Sequence, residues 1–482
     1  MTAQAVDTIR PAPGRVRGIR EVLASRASLS VAILAVACAL AAWLRIPAVA
    51  RNTLWAEDGR NFLQDAVNHG PLASLAIPYA GYLHTIPRII ASVTVSFVPV
   101  AQWADAMTAG SCLVAGILAA VVFVCTRDVV PWLPGRILIA GLTVLAPLAP
   151  REVLGNAANV HSIVLWAVFW MLLYTPRTRA GSISLGVVAF LGAATEIQCL
   201  LLLPLALIRW RERRRWPMFA GLAAGLAMQL FVTLVWPRSQ SGNPPVEALS
   251  IAYGYLINAV MPLVTPQNSI GPVLAATGPV VGIAVLAVIA CALAYVLIRG
   301  GRVQRITAGA LVAGSIAFYS ISVISNPNSF YDYARFDRDE LAGVWLVRYG
   351  VVPSMMLGAV VLIAISLAVA RKSSAAERPA VGAVRSAARA ARRWLGDRRR
   401  FTGGVALGVV AALLLAQFIP QETRRSYGPQ WSPQVTAAAR QCERLPADYV
   451  LHLQETISWH VWLACRTIDP PGSVGAAGGL KP

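Results

Sequence analysis

The sequence predicts an all-α polytopic membrane protein, with about 11 transmembrane helices, juxtamembrane helices on the outer surface and a small outer C-terminal tail. Of its 482 residues, 57% are hydrophobic and only 13% are charged. A soluble protein of this length would need more polar residues to cover its surface. Apolar stretches approaching the length of a bilayer crossing recur along the chain, and lipid satisfies no backbone polar group, so helices are the expected spanning elements.

Positive charge is the second informative feature, because the formal net charge of +20 is localised. Basic clusters lie between the apolar runs, at residues 1–26, 209–215, 299–305 and 371–400. Cytoplasmic segments of membrane proteins carry such an excess of Lys and Arg. We therefore expect these clusters to face the cytoplasm and contact anionic lipid headgroups, and we expect no nucleic-acid partner.

The pattern divides the chain into a cytoplasmic basic N-terminus (1–26), a transmembrane domain (27–419) containing the basic cytoplasmic loop 371–400, and an extracytoplasmic tail (420–482). The first apolar run lacks a small-residue cleavage site, so we expect it to remain as a helix. The expected location is the cell membrane, with many passes. Clear helical runs cover residues 28–50, 104–125, 136–150, 160–174, 217–236, 274–298, 306–324, 349–370 and 401–419.

Two regions leave the topology open. Residues 84–100 are apolar but begin with a His and an Arg, and residues 181–209 would reach about 43 Å as one helix, against about 30 Å of hydrocarbon. In a first topology 84–100 crosses the membrane and 181–209 is one tilted helix. In a second, 84–100 lies along the outer surface or re-enters, and 181–209 is a helical hairpin broken near Thr195–Glu196.

Both topologies place the N-terminus in the cytoplasm and the C-terminus outside. Counting positive charges favours the second, because it moves most of the remaining loop arginines to the cytoplasmic side. Those arginines are Arg127, Arg136, Arg177 and Arg179. The second topology also brings residues 150–162 and Glu196 to the outer side, where polar residues near membrane depth indicate a functional site.

The tail is predicted to hold two strands, DYVLHLQE and HVWLACRT, on either side of a turn. Cys442 and Cys465 would lie in an oxidising compartment, so we expect a disulfide between them. A unit this small needs such a link. The last ten residues are rich in Gly, Ala and Pro and are expected to be disordered.

The most informative short segment is RNTLWAEDGRNFLQDA (51–66), which opens the first outer loop in both topologies. Its adjacent carboxylates, Glu57 and Asp58, fit three roles: metal ligands, a general base, or solvated loop acids. Gly59 permits a tight turn there. A helix N-cap at Asp58 is the main structural alternative to a functional role.

The layout resembles that of the GT-C-type membrane glycosyltransferases. These have many helices, a long first outer loop that opens with an acidic motif, and polyprenyl-phosphate-linked sugars as donors. The matching segments are WAEDG (55–59), PYAGYLHTIPR (78–88) and RYG (348–350). The first loop contains no DxD, so no subfamily is assigned. The resemblance implies transfer of a sugar to an extracytoplasmic glycan, lipid or protein acceptor of the cell envelope.

A lipid-phosphate donor carries a good leaving group, so one carboxylate that accepts a proton from the acceptor hydroxyl is sufficient. Glycoside hydrolases instead need two separated carboxylates. We therefore expect one base and one positioning residue, with Asp58 preferred over Glu57 as the base. Arg88 and Arg348 are expected to bind the phosphate. Pairing with a carboxylate, or snorkelling to the interface, is the alternative for both.

Other polar residues on the predicted outer side are candidates for substrate binding. They are Tyr82, His84, Asn156, Asn159, His161, Glu196 and Tyr349. Helix capping explains the two Asn residues equally well. In the first topology Glu196 would lie in mid-membrane and require a partner. No His/Cys/Asp cluster has metal-ligand spacing, so no metal site is predicted, although the paired acids could accept one divalent cation.

Two other function classes remain open. A transporter or flippase of a lipid-linked glycan or a solute would need ionisable residues at mid-membrane and an alternating-access cavity. A glycan polymerase or ligase would use the same outer loops with a longer lipid-linked oligosaccharide as donor. Because the strongest polar cluster lies at the outer edge of the membrane, the transferase is favoured over the transporter.

Overall fold

The computed structural model describes residues 13–239, 242–370, 383–418, 423–456 and 458–469, and for 13–27 and 383–399 it describes the backbone alone. The expectations for residues 1–12, for most of the 371–400 loop and for the last ten residues therefore lie wholly or largely outside the described side chains. Within these ranges the chain is mostly helical, with one small sheet.

The α-helices are Pro13–Leu44 (α1), Ala48–Arg51 (α2), Gln64–His69 (α3), Thr85–Phe97 (α4), Trp103–Cys125 (α5), Leu133–Leu145 (α6), Ala149–Glu152 (α7), Val160–Met171 (α8), Arg179–Ala193 (α9), Leu203–Ala206 (α10), Trp216–Val235 (α11), Ala248–Tyr255 (α12), Gln267–Thr277 (α13), Val280–Arg299 (α14), Arg302–Ser325 (α15), Arg338–Ala342 (α16), Val351–Ala370 (α17), Ala383–Ala416 (α18), Trp431–Cys442 (α19) and Cys465–Ile468 (α20). Strands Val450–Thr456 (β1) and Trp459–Ala464 (β2) pair antiparallel. Short 3₁₀- or π-helical turns are Asp58–Leu63, Ala73–Ala76, Val100–Gln102, Thr126–Asp128, Ile197–Leu202, Arg213–Arg215, Leu256–Val260, Met261–Leu263, Ser329–Tyr331, Arg348–Gly350 and Arg424–Tyr427.

The mostly helical fold with its long apolar helices is consistent with the predicted class, an all-α membrane protein, whereas the count of about 11 spans is not confirmed. Within the described residues, 6 helices are long and apolar enough to cross a membrane. They are Val100–Asp128, Leu133–Glu152, Arg213–Val235, Val280–Arg299, Arg302–Ser325 and Arg348–Ala370. Shorter apolar helices accompany them, including α4, α8 and α9.

The long helices run between two ends of the bundle, which we call the Asp58 end and the Asp128 end. Asp128 lies 3.9 Å from Arg177 and 3.6 Å from Arg209. The amide of Gln304 donates a hydrogen bond to the neighbouring Val129 carbonyl, at 3.0 Å. The basic segments 209–215 and 299–305 therefore gather at one end, together with the loop arginines.

The region 181–209 has the hairpin geometry of the second topology. Helix α9 begins beside Arg177 and ends at Ala193, and the chain then turns at Thr195–Glu196. It returns through a 3₁₀ turn and α10 to Arg209, which again reaches Asp128. The two arms can be short, because the chain reverses direction inside the bundle and neither arm has to cross its full length.

Helix α4 does not cross the bundle, which also matches the second topology. At its start, the Thr85 hydroxyl donates to the Ala194 carbonyl at 2.9 Å, and the Ile86 amide donates to Thr195. Beyond its other end, the Val100 carbonyl accepts a hydrogen bond from the Trp431 indole at 2.7 Å. The backbone amide of Trp431 bonds in turn to Asn52, close to Asp58 in the chain. Both ends of α4 therefore lie at the Asp58 end.

The C-terminal tail packs on the first loop. The predicted disulfide between Cys442 and Cys465 is present and links α19 to α20. Trp431 is fully buried and stacks on Trp103, with 6.4 Å between the ring centroids. A second hydrophobic core joins these residues to Phe62, so the tail and the first loop form one packed layer over the bundle.

Close contact between α9 and α11 depends on glycine. A Cβ on Gly221 would lie 2.0 Å from the Gly186 carbonyl oxygen, and a Cβ on Gly186 would lie 2.7 Å from the Pro217 carbonyl oxygen. Both atoms belong to the backbone and cannot rotate away. Small residues at such crossings let membrane helices approach closely.

We expect Gly221→Ala to lower the apparent Tm of the purified protein by several degrees, because the new methyl group forces α9 and α11 apart. Gly309→Ala is the matched control in α15, where an added Cβ meets nothing within 4 Å. Thermal denaturation in detergent measures both. Equal melting temperatures for the two variants would show that the α9–α11 contact is looser than described.

Candidate functional site

Asp58 is buried, with 2% of its surface exposed, and its side chain reaches across to the loop before α8. Its two carboxylate oxygens accept hydrogen bonds from the backbone amides of Ala157 at 2.9 Å and Ala158 at 2.8 Å. The helical turn that begins at Asp58 has no side-chain cap. Asp58 is therefore neither a solvated loop acid nor the cap of its own helix, but a link between two distant segments.

The tail contributes a second buried acid to the same place. Glu455, on β1, is fully buried and accepts a hydrogen bond from the Gly59 amide at 3.1 Å. A Cβ on Gly59 would lie 2.3 Å from the Glu455 carboxyl carbon. Gly59 is required by this close approach, and not by the tight turn that the sequence suggested.

Burial sets the charge state of these two acids. It raises the pKa of Asp58 from 3.8 to about 7, although the Ala157 and Ala158 amides and the Arg425 guanidinium oppose the shift. Burial also raises the pKa of Glu455 well above its usual range, and the nearby Asp58 carboxylate adds to that shift. An ionised carboxylate loses its hydration in such surroundings, so the neutral form is favoured.

Glu57 has the opposite environment from its neighbour Asp58. Its side chain is partly exposed, and it makes no hydrogen bond or ion pair to any residue that the structure describes. It interacts electrostatically with Tyr79, Tyr82 and Arg348. Of the two adjacent acids, Glu57 is thus the one whose carboxylate is free to act on a bound molecule, which reverses the preference for Asp58 drawn from the sequence.

Arginine side chains converge opposite Glu57, around one buried carboxylate. Glu152 lies 2.5 Å from the Arg424 Nε and 3.7 Å from the Arg348 Nη1. Arg424 and Arg151 both cover the Trp345 ring, at 3.7 Å and 5.1 Å from its centroid. The Arg348 Nε is buried without a partner among the described residues. Arg348 and Arg424 both contact this one carboxylate, and two such guanidinium groups can bind an additional anion.

A cavity beside the cluster collects several of the sequence candidates. His161 and Glu196 meet there, with 2.5 Å between the His161 Nδ1 and the Glu196 Oε2. The Glu196 Oε1 accepts a hydrogen bond from the backbone amide of Gln198 at 2.7 Å. Arg348 and Tyr349 form its opposite wall. The complete lining is His161, Ser162, Leu165, Glu196, Gln198, Phe318, Ser322, Arg348, Tyr349, Val352 and Pro353.

The Asn candidates and Arg88 bond mainly to the protein itself, although the Asn156 Nδ2 and the Arg88 Nη2 are buried without a partner among the described residues. Asn156 accepts from the Asn159 amide at 2.9 Å, and the Asn159 side chain donates to the Glu152 carbonyl. They stabilise the loop that Asp58 holds, but Asn159, the N-cap residue of α8, makes no side-chain capping hydrogen bond. Arg88 is buried and pairs with Asp65 at 2.9 Å.

His84 and Tyr82 lie in an aromatic group at the edge of the site. Their rings are 4.0 Å apart, and the His84 ring also contacts Phe62 and Tyr79. Tyr82 interacts electrostatically with Glu57, Glu196 and Arg348. Tyr82 therefore connects Glu57 to the cavity, while His84 is buried beneath it.

The sequence did not identify Arg424, Glu152 or Glu455 as site residues. All three lie in segments that carry no motif, and each reaches the site through the fold. The one signal in the sequence concerned Glu152, because the segment 151–159 (REVLGNAAN) was predicted to lie on the outer side. Among the described residues, no group of three or more His, Cys, Asp and Glu is placed to hold a metal ion.

An apolar groove lies next to the site, below α4. Its walls come from α4, α5, α8 and α9, and its volume is about 190 Å³. The lining is Ile86, Ile89, Ile90, Val114, Ile117, Val164, Ala167, Val168, Val188, Leu191 and Gly192. Ile86 is two residues from His84, so the upper end of the groove meets the polar site.

Comparison of the chain with known proteins gives no match to a family model, to a curated protein or to a solved structure.

Asp58 makes stability depend on pH. Between pH 3.8 and about 7, the Asp58 carboxyl keeps its proton in the folded protein and has lost it in the unfolded chain. The free energy of unfolding should therefore fall as the pH rises through this window. We expect the apparent Tm in detergent to decrease from pH 5 to pH 8, and Asp58→Asn to reduce this decrease.

Glu443→Gln is the control, because Glu443 is an exposed acid of the tail. It should melt with the pH dependence of the unaltered protein. A pH dependence in Asp58→Asn as steep as that of the control would contradict the raised pKa.

Proposed function

We propose that this protein is a membrane glycosyltransferase that moves a sugar from a polyprenyl-phosphate donor to an extracytoplasmic glycan, lipid or protein acceptor. The observation that carries the proposal is an unpartnered carboxylate, Glu57, that interacts electrostatically with Arg348, which shares Glu152 with Arg424. A transferase acting on a lipid phosphate needs both groups. The GT-C resemblance of the sequence supports the same reaction.

Glu57 is the proposed general base. A base must have a free oxygen within reach of the acceptor hydroxyl, and Glu57 has no competing partner in the described part of the chain. Asp58 is the positioning residue. Its bonds to Ala157 and Ala158 fix the backbone from which Glu57 projects.

Arg348 and Arg424 are the proposed phosphate ligands. The planar guanidinium binds a phosphate with two parallel hydrogen bonds, and its charge persists at neutral pH. Arg348 is one-third exposed, at 33% of its side-chain surface, and its Nε is unpaired. Arg424 makes the shorter contact with Glu152, at 2.5 Å against 3.7 Å for Arg348, so Arg348 is the cation with more capacity for a ligand.

We assign the polar residues around His161 to the sugar and the apolar groove to the lipid. His161, Glu196 and Tyr349 present ring nitrogen, carboxylate and phenol groups that can hydrogen-bond to hydroxyls. The apolar groove below α4 suits the first isoprenoid units of the carrier, because its lining is almost entirely aliphatic. The donor would enter laterally from the membrane.

In the proposed step, the acceptor oxygen forms a bond to the anomeric carbon of the sugar while the bond from that carbon to the phosphate oxygen breaks. Glu57 takes the proton of the acceptor hydroxyl. The electron pair of the broken bond leaves on the phosphate, where Arg348 stabilises the developing charge. Attack opposite the leaving group inverts the anomeric configuration.

The alternatives give different results in the same assays. A polymerase or ligase would transfer an oligosaccharide from a lipid-linked donor instead of a single sugar. A transporter or flippase would move a labelled lipid-linked glycan across a proteoliposome membrane and release no polyprenyl phosphate. Release of the free carrier therefore separates the transferase from the transporter.

Glu57→Gln should lower the rate of sugar transfer from radiolabelled polyprenyl-phosphate sugars by about 10²- to 10⁴-fold, because the base is lost. Its apparent Tm should not change, since Glu57 bonds to no described residue. Glu443→Gln, in the exposed tail, is the matched control and should retain full activity. A fully active, correctly folded Glu57→Gln would reject Glu57 as the base.

Arg348→Gln should lower kcat/KM for the donor by about tenfold to a hundredfold, the value of a hydrogen bond to a charged group. Arg88→Gln should instead lower the apparent Tm, because it leaves Asp65 unpaired. Steady-state kinetics and thermal denaturation on the same preparations distinguish the two. A larger kinetic loss in Arg88→Gln than in Arg348→Gln would move the phosphate site to Arg88.

A further inference from the structure

A second apolar groove lies at the opposite end of the bundle from the proposed active site. It is walled by α1, α5 and α9 and has a volume of about 550 Å³. Small and aliphatic side chains such as Ala35, Val121 and Leu185 line it, and Arg127 and Arg177 lie at its mouth. It meets the groove below α4 at Ile117, which lines both.

The length of this groove matches one leaflet of a bilayer. Along α5 and the turn that follows, it extends from Ile117 to Arg127. Ten residues at 1.5 Å each span about 15 Å, half of a hydrocarbon core of about 30 Å. A lipid chain that starts at the Asp128 end would therefore reach the middle of the membrane at Ile117.

The mouth of the groove carries more positive than negative charge. Arg127 is exposed and forms no ion pair among the described residues. Arg177 is 55% exposed and lies 3.9 Å from Asp128, which is also shared with Arg209. Arg136 adds a further cation, which Arg127 and Arg177 repel. The start of α9, at the same mouth, contributes the positive end of a helix dipole.

We propose that this groove binds one anionic phospholipid of the leaflet at the Asp128 end. Its phosphate lies against Arg127 and Arg177, and one acyl chain fills the space between α1, α5 and α9. Charge complementarity selects the anionic headgroup, and the apolar walls select a lipid over a soluble phosphate. This site is independent of the proposed transferase reaction, which uses the other end of the bundle.

The test is native mass spectrometry of the delipidated full-length protein, titrated separately with dioleoyl phosphatidylglycerol, dioleoyl phosphatidylcholine, polyprenyl phosphate and inorganic phosphate. We expect phosphatidylglycerol to bind about tenfold to thirtyfold more tightly than phosphatidylcholine. Arg127→Gln/Arg177→Gln should abolish this preference. The matched control, Arg299→Gln/Arg302→Gln, removes two exposed arginines elsewhere and should retain it.

A second variant, Ser184→Trp, places a bulky ring in the groove without changing charge and should weaken binding of both phospholipids. Each variant is used only with an apparent Tm close to that of the unaltered protein. Equal affinity for the two phospholipids, or an unchanged preference in the double variant, would overturn the proposal. Tighter binding of polyprenyl phosphate, or competition by inorganic phosphate alone, would also overturn it by assigning the site to another ligand.

Discussion

The contact between the Asp58 carboxylate and the Ala157 and Ala158 amides is the constraint on which the candidate site depends. A buried carboxylate is costly unless its oxygens accept hydrogen bonds. Both oxygens of Asp58 do so, at 2.9 Å and 2.8 Å. The contact fixes the first loop against the segment that leads into α8, which also carries Glu152 and His161. Removing it would release both walls of the cleft.

The tail strengthens this contact from the other side. Glu455 bonds to the Gly59 amide, and Arg425 donates to the Gly155 carbonyl at 2.7 Å while it faces Asp58. Residues from the beginning, the middle and the end of the chain thus meet at one point. The disulfide between Cys442 and Cys465 holds the tail in the shape that this meeting requires. The tail is part of the site's support and not a separate appendage.

The two ends of the bundle have different electrostatic character. At the Asp58 end, acids and arginines alternate around a cleft, and Glu152 and Asp65 each engage an arginine. At the Asp128 end, basic side chains predominate, and Asp128 is shared between Arg177 and Arg209. Two apolar grooves connect these ends along α5 and meet at Ile117.

The sequence by itself determined the features that depend on local composition. Hydropathy identified the helical membrane class, and charge counting brought the basic segments to a common end. The polar break in a long apolar run identified the turn at Thr195–Glu196. Cysteine spacing in the tail identified the disulfide. Each of these features depends on the residues of a single segment, because the hydropathy and charge rules for membrane helices apply to each segment separately.

Only the tertiary structure decided which candidates remain available for chemistry. Glu57 and Asp58 are adjacent and chemically alike, yet the fold buries one and leaves the other unpartnered. Arg88 donates hydrogen bonds to Asp65 and to the Leu83 carbonyl, whereas Arg348 lies 3.7 Å from Glu152 and donates none to the described residues. The decisive partners are far away in sequence, with a separation of 99 positions from Asp58 to Ala157 and 396 from Gly59 to Glu455. Contacts at such separations leave no periodic pattern in the sequence, so packing alone decides which residues meet.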